Sequence, residues 1–209
     1  RMPDVATIHG LVVGTHTTLV KDDGSMSSEA AAKPTWPSAL EQLRYARAIL
    51  TLESDTVAEV ARRLDLCFCQ AVEMIYHCGG SVLVTGMGKA GQIGQKISAT
   101  FASTGTRSHW LHPAEAVHGD LGRIHPQDVA LILSQSGETE EVVRLLPWLR
   151  DLSVPMIALT SEKSSTLGRA ASVVIALGPM EEACRLGLAP STSTTVMLAV
   201  GDALALVVS

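Results

Sequence analysis

Aromatic residues are scarce: three Trp, two Tyr and two Phe make up 3% of the 209 residues. With so few large rings, the core has to be filled by Ala, Val, Leu and Ile, a mix that suits a parallel sheet buried on both faces. Positive charge is also short. The 16 Lys and Arg are outnumbered by 21 Asp and Glu, giving a net charge of -5, so there is no basic footprint for nucleic acid or an anionic membrane. Cysteine is limited to Cys67, Cys69, Cys78 and Cys184, at spacings that match neither a zinc finger nor a thioredoxin-type motif. They read as reduced, mostly buried thiols, and the expected location is the cytoplasm. A leader that joins basic residues, an apolar run and a cleavage site is missing, so no signal peptide is expected. Long apolar runs are missing too. The strongest, 196–208, contains Asp202 and is too short to cross a bilayer, so it reads as a core or subunit-interface helix.

What is present is an alternation of strand and helix signals. Residues 1–37 are irregular, and Gly24-Ser25-Met26 looks like a cloning junction followed by a start methionine, so the first 25 residues are expected to be foreign or an extension. The domain is placed at 38–209. From 38 to 78, Leu40, Leu43, Ala46, Ile49, Leu50, Val57, Val60, Ala61, Leu64 and Cys67 recur at helical spacing and predict two helices ahead of the first strand. Strands are expected at 81–85, 107–111, 129–133, 156–159 and 173–176, with helices at 91–103, 138–149 and 164–171 and a last one carrying 196–208. This order indicates an α/β fold with a doubly wound parallel sheet, whose ligands bind at the carboxyl ends of the strands.

Four segments fall at that rim. The first, Leu133 to Glu141, reads L-S-Q-S-G-E-T-E-E. Ser134, Ser136 and Thr139 stand where a strand hands over to a helix N-terminus, whose free N–H groups and dipole favour an anion, and Gly137 lets the backbone approach it. Glu138, Glu140 and Glu141 suit a site that holds a phosphate while a carboxylate works on the attached carbons. The same residues would also serve as ordinary helix capping. The second segment, Gly86-Met87-Gly88-Lys89-Ala90-Gly91, satisfies G-x-G-x-x-G after a strand and raises a dinucleotide site. That site needs an acidic residue after strand two, where this chain has Thr106, Arg107, Ser108 and His109, and Lys89 within the loop is better suited to a small anionic or carbonyl ligand. The third segment, from His112 to Asp120, gathers His112, Glu115, His118 and Asp120 on a polar loop, and a histidine beside carboxylates can move protons near neutral pH. In the fourth, Glu181 and Glu182 precede a hydroxyl run from Ser191 to Thr195 that opens the last helix.

In order and spacing, G-M-G-K-A-G-Q-I-G, F-A-S-T-G-T, H-P-A-E-A-V-H-G-D-L-G, S-Q-S-G-E-T-E-E, E-A-C-R-L-G-L-A-P-S-T-S-T-T and G-D-A-L-A resemble the sugar isomerase (SIS) family, and within it the arabinose 5-phosphate isomerases. The resemblance runs from about Leu40 to the end. It implies an SIS-type five-stranded parallel sheet flanked by helices, with two N-terminal helices. It also implies interconversion of D-arabinose 5-phosphate and D-ribulose 5-phosphate through a cis-enediol, feeding octulosonate for lipopolysaccharide or capsule, with no organic cofactor. By motif position Lys89, Glu141 and Glu182 match catalytic residues and His118 a substrate contact, which its imidazole chemistry places with the catalytic group. Gly88, Ser103, Gly105 and Thr106 match substrate contacts, Ser134, Ser136 and Thr139 the phosphate loop, and His112 a position that takes zinc. The partners implied are a sugar phosphate and further copies of the chain, as a dimer or tetramer with sites between protomers.

The chain departs from the family at Ala90, Gln92, Gln135 and Arg185, where serine, histidine, asparagine and proline are usual. The resemblance further implies a histidine-bearing segment and a pair of CBS modules beyond Ser209. The alternative function is a non-catalytic sugar-phosphate sensor, which could dispense with the proton-transfer groups. No helix-turn-helix pattern is found ahead of the domain.

Overall fold

The computed structural model describes residues 37–209, so the expected junction at 24–26 lies outside the described residues. Helix α1 (Ala39–Arg63) opens on a capping box, in which the Glu41 N–H donates to Ser38 Oγ at 3.3 Å and the Ser38 N–H donates to Glu41 Oε2 at 2.8 Å. This pairs two of the backbone donors that a helix start leaves free. Helix α2 (Leu66–Tyr76) starts in the same way on Asp65, whose carboxylate accepts from the Cys67 N–H. These are the two helices expected before the sheet. Then follow β1 (Val82–Gly86), α3 (Gly88–Ser103), β2 (Ser108–Leu111), α4 (Pro113–Val117), a 3-10 turn (Asp120–Arg123), β3 (Val129–Leu133), α5 (Glu140–Asp151), β4 (Met156–Thr160), α6 (Thr166–Ala170), β5 (Val173–Ala176) and α7 (Thr192–Val208).

All strand pairings are parallel, in the order β2-β1-β3-β4-β5. Every residue of β1, β3 and β4 is buried, as continuous apolar strands require when both faces are covered. On one face Val82, Val84, Leu131, Leu133, Ile157 and Leu159 meet Ile97, Phe101, Val200 and Leu204. On the other, Leu83, Leu111, Ile132 and Ala158 meet Leu145, Leu149 and Leu167. Each fully buried aliphatic chain stabilises the fold by about 1.5–3 kcal/mol, so this double layer supplies most of the driving force. The order of strands reverses between β1 and β3. Their carboxyl ends, Gly86 and Leu133, are register partners, which puts the crevice of the doubly wound sheet at the two loops singled out in the sequence.

Three expectations change. The cysteines are not mostly buried: Cys69 is exposed and Cys67, Cys78 and Cys184 are half-buried, all four free thiols. The polar loop after β2 is not a plain loop, because Pro113 at a helix start and the following small residues form α4. Finally, α3 begins at Gly88 rather than Gly91. Among the described residues no helix is long and apolar enough to cross a membrane.

Candidate active site

The turn from β1 into α3 is dictated by glycines. Gly88 has φ 57°, a left-handed backbone that other residues resist. A Cβ on Gly91 would lie 2.8 Å from the Gly86 carbonyl oxygen and 3.2 Å from the Trp110 ring, and one on Gly94 would lie 2.7 Å from the same ring. Helix α3 therefore lies hard against β1 and β2. Lys89 sits in its first turn, exposed and without a partner. The lysine read as a loop residue is thus fixed to a rigid helix end that carries the positive pole of the dipole.

The hydroxyl loop after β3 is braced by its own side chains and by α6. Ser134, 2% exposed, shares a 2.9 Å hydrogen bond with Thr139 Oγ1 and accepts the Gly137 N–H at 3.1 Å. Ser136 Oγ accepts the Glu138 N–H at 3.1 Å. From the far side, the Leu167 N–H donates to Gly137 O and the Ser161 N–H to Gln135 O. The three carboxylates of this loop separate by role. Glu138 Oε1 accepts from the Thr166 N–H at 2.6 Å; that bond, at the start of α6, draws its pKa below the usual glutamate value. Glu140 pairs with Arg144 one turn on, both exposed. Half-buried Glu141 has no hydrogen-bond or ion-pair partner among the described residues.

Glu182 lies on the segment between β5 and α7, with its carboxylate on the start of α7. Oε2 accepts the Ser191 N–H at 2.7 Å and, at longer range, Ser191 Oγ; Oε1 accepts the Ser193 N–H at 3.3 Å, which Oε2 shares at 3.4 Å. Burial raises its pKa, but the bonds from Ser193 and Ser191 outweigh that and leave it below the ordinary value. The group is a carboxylate oriented by the first turn of α7.

The imidazoles flank α4. His112 is the residue before the helix, half-buried, with Nδ1 buried and unpartnered; His118 follows the helix and is exposed. Asp120 is taken by Arg123 at 3.1 Å. His112 alone fits a metal ligand, but among the described residues no group of three or more His, Cys, Asp or Glu is placed to hold a metal, so no step is routed through zinc.

The rim of strand carboxyl ends carries Gly88 and Lys89 after β1, His112 and, across α4, His118 after β2, Ser134, Ser136, Thr139 and Glu141 after β3, and the Glu182 segment after β5. It does not bring in Ser103, Gly105 and Thr106. Ser103 ends α3, whose 16 residues span about 24 Å, and Gly105 and Thr106 follow at the amino end of the sheet beside Ser81 and Arg107. Within one protomer these three are remote from the hydroxyl loop. At the same rim Gln135 Oε1, noted in the sequence only as a departure from the family, and Ser161 Oγ, not noted there, are buried without partners among the described residues. Nothing local marks them, because they become neighbours only when β3 and β4 pair.

The SIS domain model matches residues 74–207. The chain belongs to the SIS domain family. Arabinose 5-phosphate isomerase KdsD of Shigella flexneri is 48% identical to this SIS domain over 157 residues, which are 75% of this chain and 48% of that protein. The KdsD protein of Escherichia coli K12 matches to the same extent. The chain spans about half the length of these curated relatives. Among solved structures, E. coli CFT073 c3406 in complex with arabinose 5-phosphate is 38% identical with TM-score 0.80, covering 82% of this chain and 92% of that one. The sugar isomerase domain of the RpiR transcription factor of Sphaerobacter thermophilus, at 20% identity and TM-score 0.65, covers 78% of this chain and 88% of that one, and shows the fold alone.

Proposed function

We propose that this SIS domain is an aldose-ketose isomerase acting on D-arabinose 5-phosphate and D-ribulose 5-phosphate. The observation that carries the reading is that Lys89 and the hydroxyl loop with Glu141 leave the neighbouring carboxyl ends of β1 and β3, in a chain 48% identical over 157 residues to proteins named for that reaction. The phosphate rests on Ser134, Ser136 and Thr139 at the start of α5, where free N–H groups meet an anion. That leaves the carbon chain facing Lys89, Glu141 and Glu182.

In the open-chain aldose, Glu182 accepts the C2 proton through Oε1. Its lowered pKa keeps it ionised, and therefore in the accepting form, at neutral pH. The electron pair of the broken C–H bond forms the C1–C2 double bond, and O1 becomes an enediolate oxygen facing the Lys89 ammonium. Return of the proton to C1 and transfer of the O2 hydroxyl proton to O1 give the ketose, with no atom lost or gained. Glu141 and His118 are the groups free to carry the hydroxyl protons and to open the sugar ring. No organic cofactor enters.

The reading extends to a homo-oligomer, a cytoplasmic location and supply of octulosonate for surface polysaccharide. Self-association is supported by Leu40, Leu43 and Leu50 on α1, 53–67% exposed, and by Leu186 and Leu188, 70% and 73% exposed, since so much open leucine favours a covering surface. The test is conversion of arabinose 5-phosphate followed by NMR, with ribose 5-phosphate and glucose 6-phosphate in parallel. Turnover of the arabinose ester alone supports the reading, and turnover of none overturns it.

A further inference from the structure

Glu182 lies in a stretch of chain, from Leu177 to Ser191, that contains neither helix nor strand. A carboxylate meant to meet a substrate carbon has to be held within a fraction of an ångström, and a free loop cannot do that. The stretch is gripped at three points. At its end, Ser191 and Ser193 bind the Glu182 carboxylate, and the Ala183 N–H donates to Thr192 Oγ1 at 3.1 Å. In its middle, Arg185 lays its guanidinium over the Tyr45 ring of α1, 4.2 Å from the centroid, and the Tyr45 hydroxyl reaches the Ala183 carbonyl at 3.5 Å. Two turns further along α1, Glu53 accepts from Thr195 Oγ1 at 3.2 Å and ties the first turn of α7 to the same helix.

The first half of α1 stands outside the core. The only buried residues of the helix are Thr56 and Val60, so folding of the sheet does not explain why Tyr45 and Arg185 meet. Both line an open cleft of about 280 Å³ together with Ile49, Leu52, Glu182 and Ala183. We infer that Tyr45 and Arg185 form a clasp through which α1 positions Glu182 for proton transfer. Both are positioning residues, since they reach Glu182 only through the chain around Ala183. The inference rests on the isomerase reading and adds to it that α1 is part of the active-site machinery.

The test follows the Glu182 carboxyl carbon by ¹³C NMR titration and, alongside, kcat and KM with arabinose 5-phosphate, in the full chain and in Tyr45→Ala, Tyr45→Phe and Arg185→Gln. Charged and titratable groups around Glu182 are Glu181, Cys184 and Arg185 on its own segment, Tyr45 and Glu53 on α1. With the clasp open, the bonds that lower the Glu182 pKa loosen and its midpoint rises. Tyr45→Ala and Arg185→Gln are expected to raise the midpoint and to lower kcat about 2- to 5-fold at unchanged KM, the scale of an exposed cation–π contact. Tyr45→Phe keeps the ring and stays close to the parent. A midpoint and kcat that do not move in Tyr45→Ala and Arg185→Gln, even if melting temperature falls, overturn the clasp. Glu182→Gln runs beside them: if it keeps full activity the isomerase reading of Glu182 fails, whatever the clasp does to the midpoint. Should Tyr45→Ala fail to fold, Arg185→Gln, on an exposed side chain, decides alone.

Discussion

Gly137 sits so close to Ser165 that a Cβ on the glycine would overlap the serine Oγ and lie 3.1 Å from Thr160 Oγ1, at a φ of 67°. The hydroxyl loop is therefore locked against the start of α6, where Ser165 Oγ accepts the Gly168 N–H at 3.1 Å. Gly137→Ala should cost about 2 kcal/mol or more, by strain and overlap together, and weaken sugar-phosphate binding in step. Urea denaturation of Gly137→Ala, Ser165→Gly and the double variant checks this. The double variant is expected to lose less than the sum of the singles, because removing the serine side chain makes room for the methyl.

Lys89 is exposed and has no hydrogen bond or ion pair among the described residues, so its loss should touch the reaction and not the fold. Lys89→Met is expected to keep its melting temperature while kcat falls about 100-fold or more, the scale of removing one charge-stabilising donor. A fall in kcat below tenfold would remove Lys89 from the enediolate.

Neighbouring glutamates should differ sharply. Glu140 is paired with Arg144 on an exposed helix face, worth about 0.3–0.5 kcal/mol, so Glu140→Gln should leave turnover unchanged. Glu141→Gln, at the partnerless side chain, should reduce it strongly. Steady-state kinetics of the two variants, with circular dichroism as the check on folding, separates them.

The sign of the pH dependence follows from Glu182, whose folded pKa lies below its ordinary value. A depressed carboxylate contributes stability that is present above its unfolded pKa, near 4.5, and is lost as pH falls through the folded pKa. The stability difference between the parent and Glu182→Gln should be constant from neutral pH down to about the ordinary glutamate range and shrink below it. Denaturation at a series of pH values reads it directly, and a difference that grows on acidification would contradict the bonding seen at α7.

The sheet was legible because β1, β3 and β4 are apolar at nearly every position, whereas the site was legible only where one stretch of chain carries it. Ser134, Ser136 and Thr139 lie within six residues and keep company in the fold. Lys89 read as a loop residue because glycines mark turns, yet Gly88 is the first residue of α3, its positive φ making the sharp entry. Glu138 looked like a site acid, but its partner, the Thr166 N–H, is 28 residues away. The leucines of α1 have core periodicity, and still Leu40, Leu43 and Leu50 face outward, since spacing shows that a face is apolar and not what covers it. Ser103, Gly105 and Thr106 sit next to a motif in the sequence and at the opposite end of the sheet in space, the result of crossing a 16-residue helix. Tyr45 and Arg185 are separated by most of the domain, and no local pattern connects them.

The central claim is proton transfer at C2 by a carboxylate in this crevice, and solvent deuterium exchange into C2 of arabinose 5-phosphate, followed by NMR, tests it most directly. The chain is expected to incorporate deuterium at C2, and Glu182→Gln to lose this while still binding the sugar phosphate. Binding without exchange in the unaltered chain would contradict the claim and mark the domain as a sugar-phosphate sensor.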